Sequence, residues 1–139
     1  MCQQYSVLGN TEMAMNDSGK TILIVDDSKV SRMVIKAHVL AVHPHWKVME
    51  AGTGEEAIAL VEKSVPDYCT MDINMPGMPG TDAAAQILQS HPAVRIAIFS
   101  ANIQETMQSR AHQLGAVFVA KPVTEKSIGQ ALQYFQGDA

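Results

Sequence analysis
From Thr21 onward the chain alternates short, continuous apolar runs with longer stretches whose apolar residues recur every three or four positions. The runs are Thr21–Asp26, Trp46–Ala51, Asp67–Ile73, Val94–Ser100 and Val117–Ala120. Several are apolar on successive residues, the pattern of strands buried on both faces of a sheet. The stretches between them read as helices. Val30, Val34, Ala37 and Ala41 share one helical face after Ser28, a plausible cap. Thr53 with Glu56 has the T-x-x-E spacing of a capping box ahead of Ala57, Leu60 and Val61. Thr81–Gln89 is alanine-rich and stops before His91-Pro92, where proline disfavours helix. Ile103, Met107, Ala111 and Leu114 line a fourth helical face, with Gly115 as its stop. Thr124 caps a fifth, whose stripe is Ile128, Ala131, Leu132 and Phe135.

Five strands alternating with five helices predict an α/β domain: a doubly wound parallel sheet with helices on both faces. Right-handed crossovers leave few arrangements, and strand order 2-1-3-4-5 is the common one. Residues 1–20 are polar and aperiodic and read as a flexible, disordered leader, with the folded domain spanning 21–137.

Composition narrows the class. A chain of 139 residues with 47% hydrophobic content has room for one domain. Its net charge of −4 argues against a general nucleic-acid binder. No apolar run is long enough for a membrane helix, and the first twenty residues lack the features of a secretory signal, so a cytoplasmic location is expected. The two cysteines, Cys2 and Cys69, make neither a disulfide framework nor a thiolate zinc site.

Ligands of such sheets bind at the carboxyl ends of the strands, where the winding reverses. The first strand ends in Asp26-Asp27, and the third runs into Asp72 and then Asn74. The fourth ends at Ser100, and the fifth at Lys121 followed by Pro122. With strands one and three adjacent, three carboxylates converge on one crevice and repel one another unless neutralised. A hard divalent cation with oxygen ligands does this, and Mg²⁺ keeps few carboxylates and leaves space for a phosphate. Taken singly, each residue has an ordinary explanation as a cap, a turn or a solvated loop. Their joint arrival at successive strand ends suggests a magnesium-phosphate site.

These residues resemble the receiver domain of bacterial response regulators, the phosphoacceptor module of two-component signalling. The resemblance rests on I-L-I-V-D-D-S (Ile22–Ser28), M-D-I-N-M-P-G-M-P-G (Met71–Gly80), Ser100-Ala101 and Lys121-Pro122, and covers nearly everything after the leader. It implies the flavodoxin-like receiver fold; receivers are a standard case of the 2-1-3-4-5 order, so that topology is no independent deduction. It further implies that Asp72 is the nucleophile that takes a phosphoryl group from a partner histidine kinase or histidine phosphotransfer protein. Asp27, Asp72 and the backbone carbonyl of Asn74 would hold Mg²⁺, with Asp26 acting mainly through water. Lys121 and Ser100 would contact phosphoryl oxygens. Slow self-dephosphorylation, rather than enzymatic turnover, would follow.

Ser100 would move inward on phosphorylation, and Phe118, standing where many relatives carry tyrosine, would rotate into the vacated space. Because the fourth helix follows Ser100 and the fifth strand carries Phe118, the downstream partner is expected on the face of the fourth helix, fifth strand and fifth helix, where Gln104, Gln108, Gln130 and Gln133 are expected outward. Gly115-Ala116-Val117 replaces the acidic residues of salt-bridged receiver dimers, and Pro79 departs from the usual polar loop. Since Asp138 and Ala139 alone follow the last helix, the expectation is a stand-alone receiver of the chemotaxis-regulator kind, with no output domain. A phosphorelay intermediate, an interaction-only degenerate receiver and a Mg²⁺-dependent phosphohydrolase are the alternatives. The last normally carries D-x-D after its first strand, and this chain has D-D-S. His43 and His45, flanking Pro44, read as a surface turn rather than a metal pair, and Met75 and Met78 as loop residues bordering the acidic pocket.

Overall fold
The computed structural model describes residues 19–137. Five parallel strands form one sheet: β1 (Thr21–Val25), β2 (Lys47–Ala51), β3 (Tyr68–Asp72), β4 (Arg95–Ser100) and β5 (Val117–Ala120). Their order is β2-β1-β3-β4-β5, the expected one. The helices are α1 (Lys29–Val42), α2 (Gly54–Lys63), α3 (Gly80–Ser90), α4 (Glu105–Leu114) and α5 (Glu125–Phe135). Among the described residues no helix is long and apolar enough to cross a membrane.

Side-chain alternation along the strands splits the interior into two cores. Leu23, Val25, Cys69, Met71, Ile96 and Ile98 face α2, α3 and α4, packing on Ala57, Val61, Ala83, Ile87 and Ala111. Ile22, Ile24, Tyr68, Ala97 and Phe99 face α1 and α5, packing on Ile35, Val39, Ile128, Leu132 and Phe135. The small side chains of α3 (Gly80, Ala83, Ala84) bring that helix close to the sheet, so β3, buried at all five positions, lies sealed between two layers. A polar side chain at the end of β3 is thereby fixed by the whole molecule.

The caps act largely as expected. Ser28 accepts from Ser31 N–H, and Thr124 forms a reciprocal box with Ser127. Gly115 ends α4 in the left-handed region at φ 85°, where a Cβ would be strained. Thr53 accepts from Glu56 N–H, but the Glu56 carboxylate accepts from Gly52 N–H at 2.7 Å, so the box reaches one residue further back.

Three expectations are corrected. The face of α1 carrying Val30, Val34, Ala37 and Ala41 is exposed, with Val30 at 70%, and the core face is Ile35 and Val39. His43 is buried, its ring stacked on Trp46 with centroids 3.9 Å apart, because the indole covers it; His45 is exposed. Ile103 precedes α4 and is exposed, leaving Met107, Ala111 and Leu114 as its inward face. At the amino end, the Lys20 carbonyl accepts from Lys47 N–H at 3.0 Å. Residues 1–18 of that segment lie outside the described residues.

Candidate functional site
The site lies at the carboxyl ends of β1 and β3, with the end of β5 alongside. The register that pairs Val25 with Met71 sets the residues following each strand side by side. Asp26, Asp27 and Asp72 each offer a carboxylate oxygen, and these oxygens lie within 4.8 Å of one another. Asp26 and Asp72 are buried, and Asp27 is exposed.

Lys121 reaches the two buried acids from β5. Its Nζ is 3.1 Å from Asp72 Oδ1 and 3.6 Å from Asp26 Oδ2. The Lys121–Pro122 peptide is cis, and Lys121 N–H donates to the Ser100 carbonyl at 2.9 Å, tying the ends of β4 and β5 together. Burial pushes the Asp72 carboxyl above its ordinary range. The Asp26 charge adds to that rise, while hydrogen bonds from Lys121 and the Asn74 backbone oppose it without cancelling it. Burial works to lower the Lys121 ammonium, but the hydrogen bond and charge of Asp72, with Asp26, outweigh it and hold the group above its ordinary value.

Three carboxylates face one ammonium, leaving an excess of negative charge in a half-buried crevice. Asp72 Oδ1 is buried, and its contact is the Lys121 ammonium at 3.1 Å. Three carboxylate oxygens gathered around a single ammonium fit a small, hard divalent cation. Asp26 is the most constrained of the three: its Oδ1 accepts from Ser28 N–H at 2.9 Å, and its own N–H donates to the Ala51 carbonyl at 3.1 Å.

Ser100 is fully buried at the end of β4, and its Oγ accepts from Asn102 N–H at 3.0 Å. Asn74 is exposed in the loop after β3. Phe118 is half-buried and lines a groove of about 490 Å³ beside α4, together with Glu105, Gln108 and His112. Gln104, Gln108, Gln130 and Gln133 are all exposed. Met75 and Met78, in the loop after β3, are half-buried and pack against the core.

Two residues around the acid pair were not singled out from the sequence. Arg32 on α1 donates from Nε to Glu50 Oε1 at 3.0 Å and from Nη1 to the Asp26 carbonyl at 2.6 Å. Arg32, Ile35 and Val39 recur at i, i+3 and i+7, so a charged residue on the inward stripe was the available signal. Assigning the inward face to Val30 and Val34 hid it.

The family model of the response regulator receiver domain matches residues 22–133. The chain is 36% identical over 115 residues to the chemotaxis protein CheY of Thermotoga maritima, an alignment spanning 82% of this chain and 95% of that one. It is 38% identical over 112 residues to CheY of Bacillus subtilis, spanning 80% and 92% respectively. Among solved structures, a chain of the CheX-CheY-BeF3-Mg complex of Borrelia burgdorferi is similar at TM-score 0.76 and 25% identity, over 83% of this chain and 87% of that one.

Proposed function
The chain belongs to the response regulator receiver domain family, and from that premise we propose that it is a phosphoacceptor switch in which Asp72 takes a phosphoryl group from a partner phosphohistidine. One observation carries the reading: three carboxylates converge within 4.8 Å, and Lys121 Nζ stands 3.1 Å from Asp72, one of the two that are buried. Two buried acids share one ammonium and a third stands at the mouth, and an anionic pocket with a paired cation suits phosphoryl transfer.

Asp26, Asp27, Asp72 and the Asn74 carbonyl would hold Mg²⁺. Bound there, the ion neutralises charge on the carboxylates and on the incoming phosphoryl oxygens. A carboxylate oxygen of Asp72 attacks phosphorus; the O–P bond forms, the P–N bond to the donor imidazole breaks, and the ring nitrogen takes up a proton. The enclosure of Asp72 by β3 and α3 fixes the attacking oxygen, so the protein contributes positioning and electrostatics. Lys121, already paired with Asp72, exchanges part of that contact for a phosphoryl oxygen. Ser100 turns its Oγ from Asn102 N–H towards another. Its departure opens space at the end of β4 for Phe118, whose ring lacks the hydroxyl that a tyrosine would present to a partner. The face of α4, β5 and α5 then differs between the two states, and its exposed glutamines cost little desolvation when a protein covers them.

The test is intact mass after incubation with acetyl phosphate and Mg²⁺. Gain of one phosphoryl group, absent in Asp72→Asn and in Asp27→Ala, is expected. Sustained turnover of phosphate esters would refute the switch and favour a phosphohydrolase. Amide spectra with and without beryllofluoride check the second half of the reading. Shifts should run from Asp72 through Ser100 and Phe118 into Glu105–Leu114; confinement to the loops would move the partner site elsewhere.

A further inference from the structure
We propose that Arg32 is a positioning residue for the metal-binding acids: its guanidinium fixes the peptide joining Asp26 to Asp27, and Glu50 fixes the guanidinium. The inference rests on the phosphoacceptor reading in so far as those acids are taken to hold a divalent cation.

The Asp26 carbonyl belongs to the Asp26–Asp27 peptide, so whatever holds that oxygen sets the plane from which Asp27 departs. Every other polar group of Asp26 is already engaged: its N–H by Ala51, one carboxylate oxygen by Ser28, and the other by Lys121. Arg32 supplies the remaining contact, at 2.6 Å. Asp27 is exposed, and its direction depends on the backbone. A buried neighbour cannot correct it if the peptide turns.

The guanidinium suits this task. Its side chain is 18% exposed, and its rigid fork points one N–H at the carbonyl and another at Glu50 Oε1, 3.0 Å away on β2. Lys36 Nζ lies 3.8 Å from the second oxygen of Glu50, so that carboxylate is held from both sides. The chain of contacts therefore runs from the edge strand through α1 to the acid loop. A lysine at position 32 would keep the charge and lose the fork.

Charge and position predict opposite effects, which makes the inference testable. A cation beside an anionic site repels incoming Mg²⁺, so if Arg32 acted through charge alone, neutralising it would tighten Mg²⁺ binding. If Arg32 positions the acids, both the neutral and the charge-conserving replacement loosen it. Contacts of this kind behind metal ligands typically change affinity by 10–100-fold.

The experiment is heteronuclear NMR on the full chain as wild type, Arg32→Lys, Arg32→Met and Glu50→Gln, metal-free and titrated with MgCl₂. In the metal-free Arg32 variants the Asp26 carbonyl carbon and the Asp27 amide should shift while the α5 amides stay in place. The Mg²⁺ dissociation constant should rise about tenfold in both Arg32 variants, and by a smaller factor in Glu50→Gln, which keeps the acceptor and loses the ion pair. An unchanged or lower constant in Arg32→Lys overturns the proposal, as does an unmoved Asp26 carbonyl. Should the Arg32 variants fail to fold, the near-isosteric Glu50→Gln decides by the Asp26 carbonyl shift, because losing its negative charge would by itself weaken Mg²⁺ binding; an unmoved carbonyl overturns the proposal. Wild-type protein that binds Mg²⁺ yet gains no phosphoryl group from acetyl phosphate refutes the phosphoacceptor reading and leaves this comparison standing. Wild-type protein that binds no Mg²⁺ overturns both.

Discussion
Gly80, the first residue of α3, is the position at which the site tolerates least change. A Cβ placed there would stand 2.8 Å from the carbonyl carbon of Asp72 and 2.9 Å from Ile73 Cα, and closer still to the Asp72 carbonyl oxygen. Ordinary contact begins near 3.4 Å, so the neighbours must retreat by at least 0.6 Å (3.4 − 2.8). All of them are backbone atoms at the exit of β3, which is paired on both sides, so no rotamer can relieve the clash. Overpacking typically costs about 1–3 kcal/mol, and an unyielding backbone neighbour puts Gly80→Ala at about 3 kcal/mol. For a domain of this size that lowers Tm by roughly 12 °C, taking about 4 °C per kcal/mol. Gly129→Ala in α5 is the matched control: nothing lies within 4 Å of its Cβ, so the helix should gain about 0.5–1 kcal/mol. Thermal unfolding followed by circular dichroism gives both values, and intact mass with acetyl phosphate shows whether Asp72 can still react. A Gly80→Ala protein that melts within about 3 °C of wild type and is phosphorylated at the normal rate would refute the claim that α3 and β3 lock Asp72 in place.

Thr124→Ala removes the cap of α5 and its box with Ser127; a loss of about 1 kcal/mol is expected in urea unfolding, and an unchanged midpoint would contradict it. Val30→Ser combined with Val34→Ser on the exposed face of α1 should stay within about 0.5 kcal/mol per site, whereas Ile35→Ala on the inward face should cost about 2–5 kcal/mol; the reverse ranking would restore the face first expected. Asp72→Asn should stabilise the protein in chelator at neutral pH. Burial raises the Asp72 pKa, so the folded state binds that proton more tightly than the unfolded chain does. The wild-type contribution is therefore intact below the ordinary value of 3.8 and is lost as pH rises through the folded pKa. The advantage of Asp72→Asn should grow across that window and then level off, and urea midpoints that converge with rising pH would reverse the sign.

The strand ends were legible because a strand sealed between two layers is apolar on successive residues, so a terminal aspartate stands out. Asp72 after Tyr68-Cys69-Thr70-Met71 is the clearest instance, since that strand is buried throughout. Caps were legible where the contact is local, as at Ser28, Gly115 and Thr124. The inward face of α1 was not, because the helix is apolar on both sides. Val30 and Val34 compete with Ile35 and Val39 at nearly the same period, and which stripe turns inward is decided by the sheet. The same ambiguity concealed Arg32, whose partners lie on the strand that follows in sequence and in the acid loop. His43 was misread for a related reason: the ring that buries it belongs to Trp46, and periodicity carries no information about an aromatic stack.

The three acids are unequal, and their inequality suits a switch. Asp26 is held at its carbonyl, its N–H and its carboxylate, so it serves as a fixed reference. Asp72 is fixed by burial, and Asp27 is exposed and faces solvent, where an ion arrives. In the proposed reading the event at Asp72 reaches β4 through Ser100, and the energy available there is small. Turning Ser100 towards a phosphoryl group exchanges its 3.0 Å bond from Asn102 N–H for a charge-assisted one. A neutral bond is worth about 1 kcal/mol net and one to a charged group about 1.5–3, so the exchange yields roughly 1 kcal/mol. That shifts a two-state equilibrium by about fivefold. The Lys121 contact cannot add its full strength, because the ammonium already pairs with Asp72 before transfer and redistributes rather than creates an interaction. In that reading phosphorylation of Asp72 would bias the position of Phe118 and leave the partner's own differential affinity to complete the change of state.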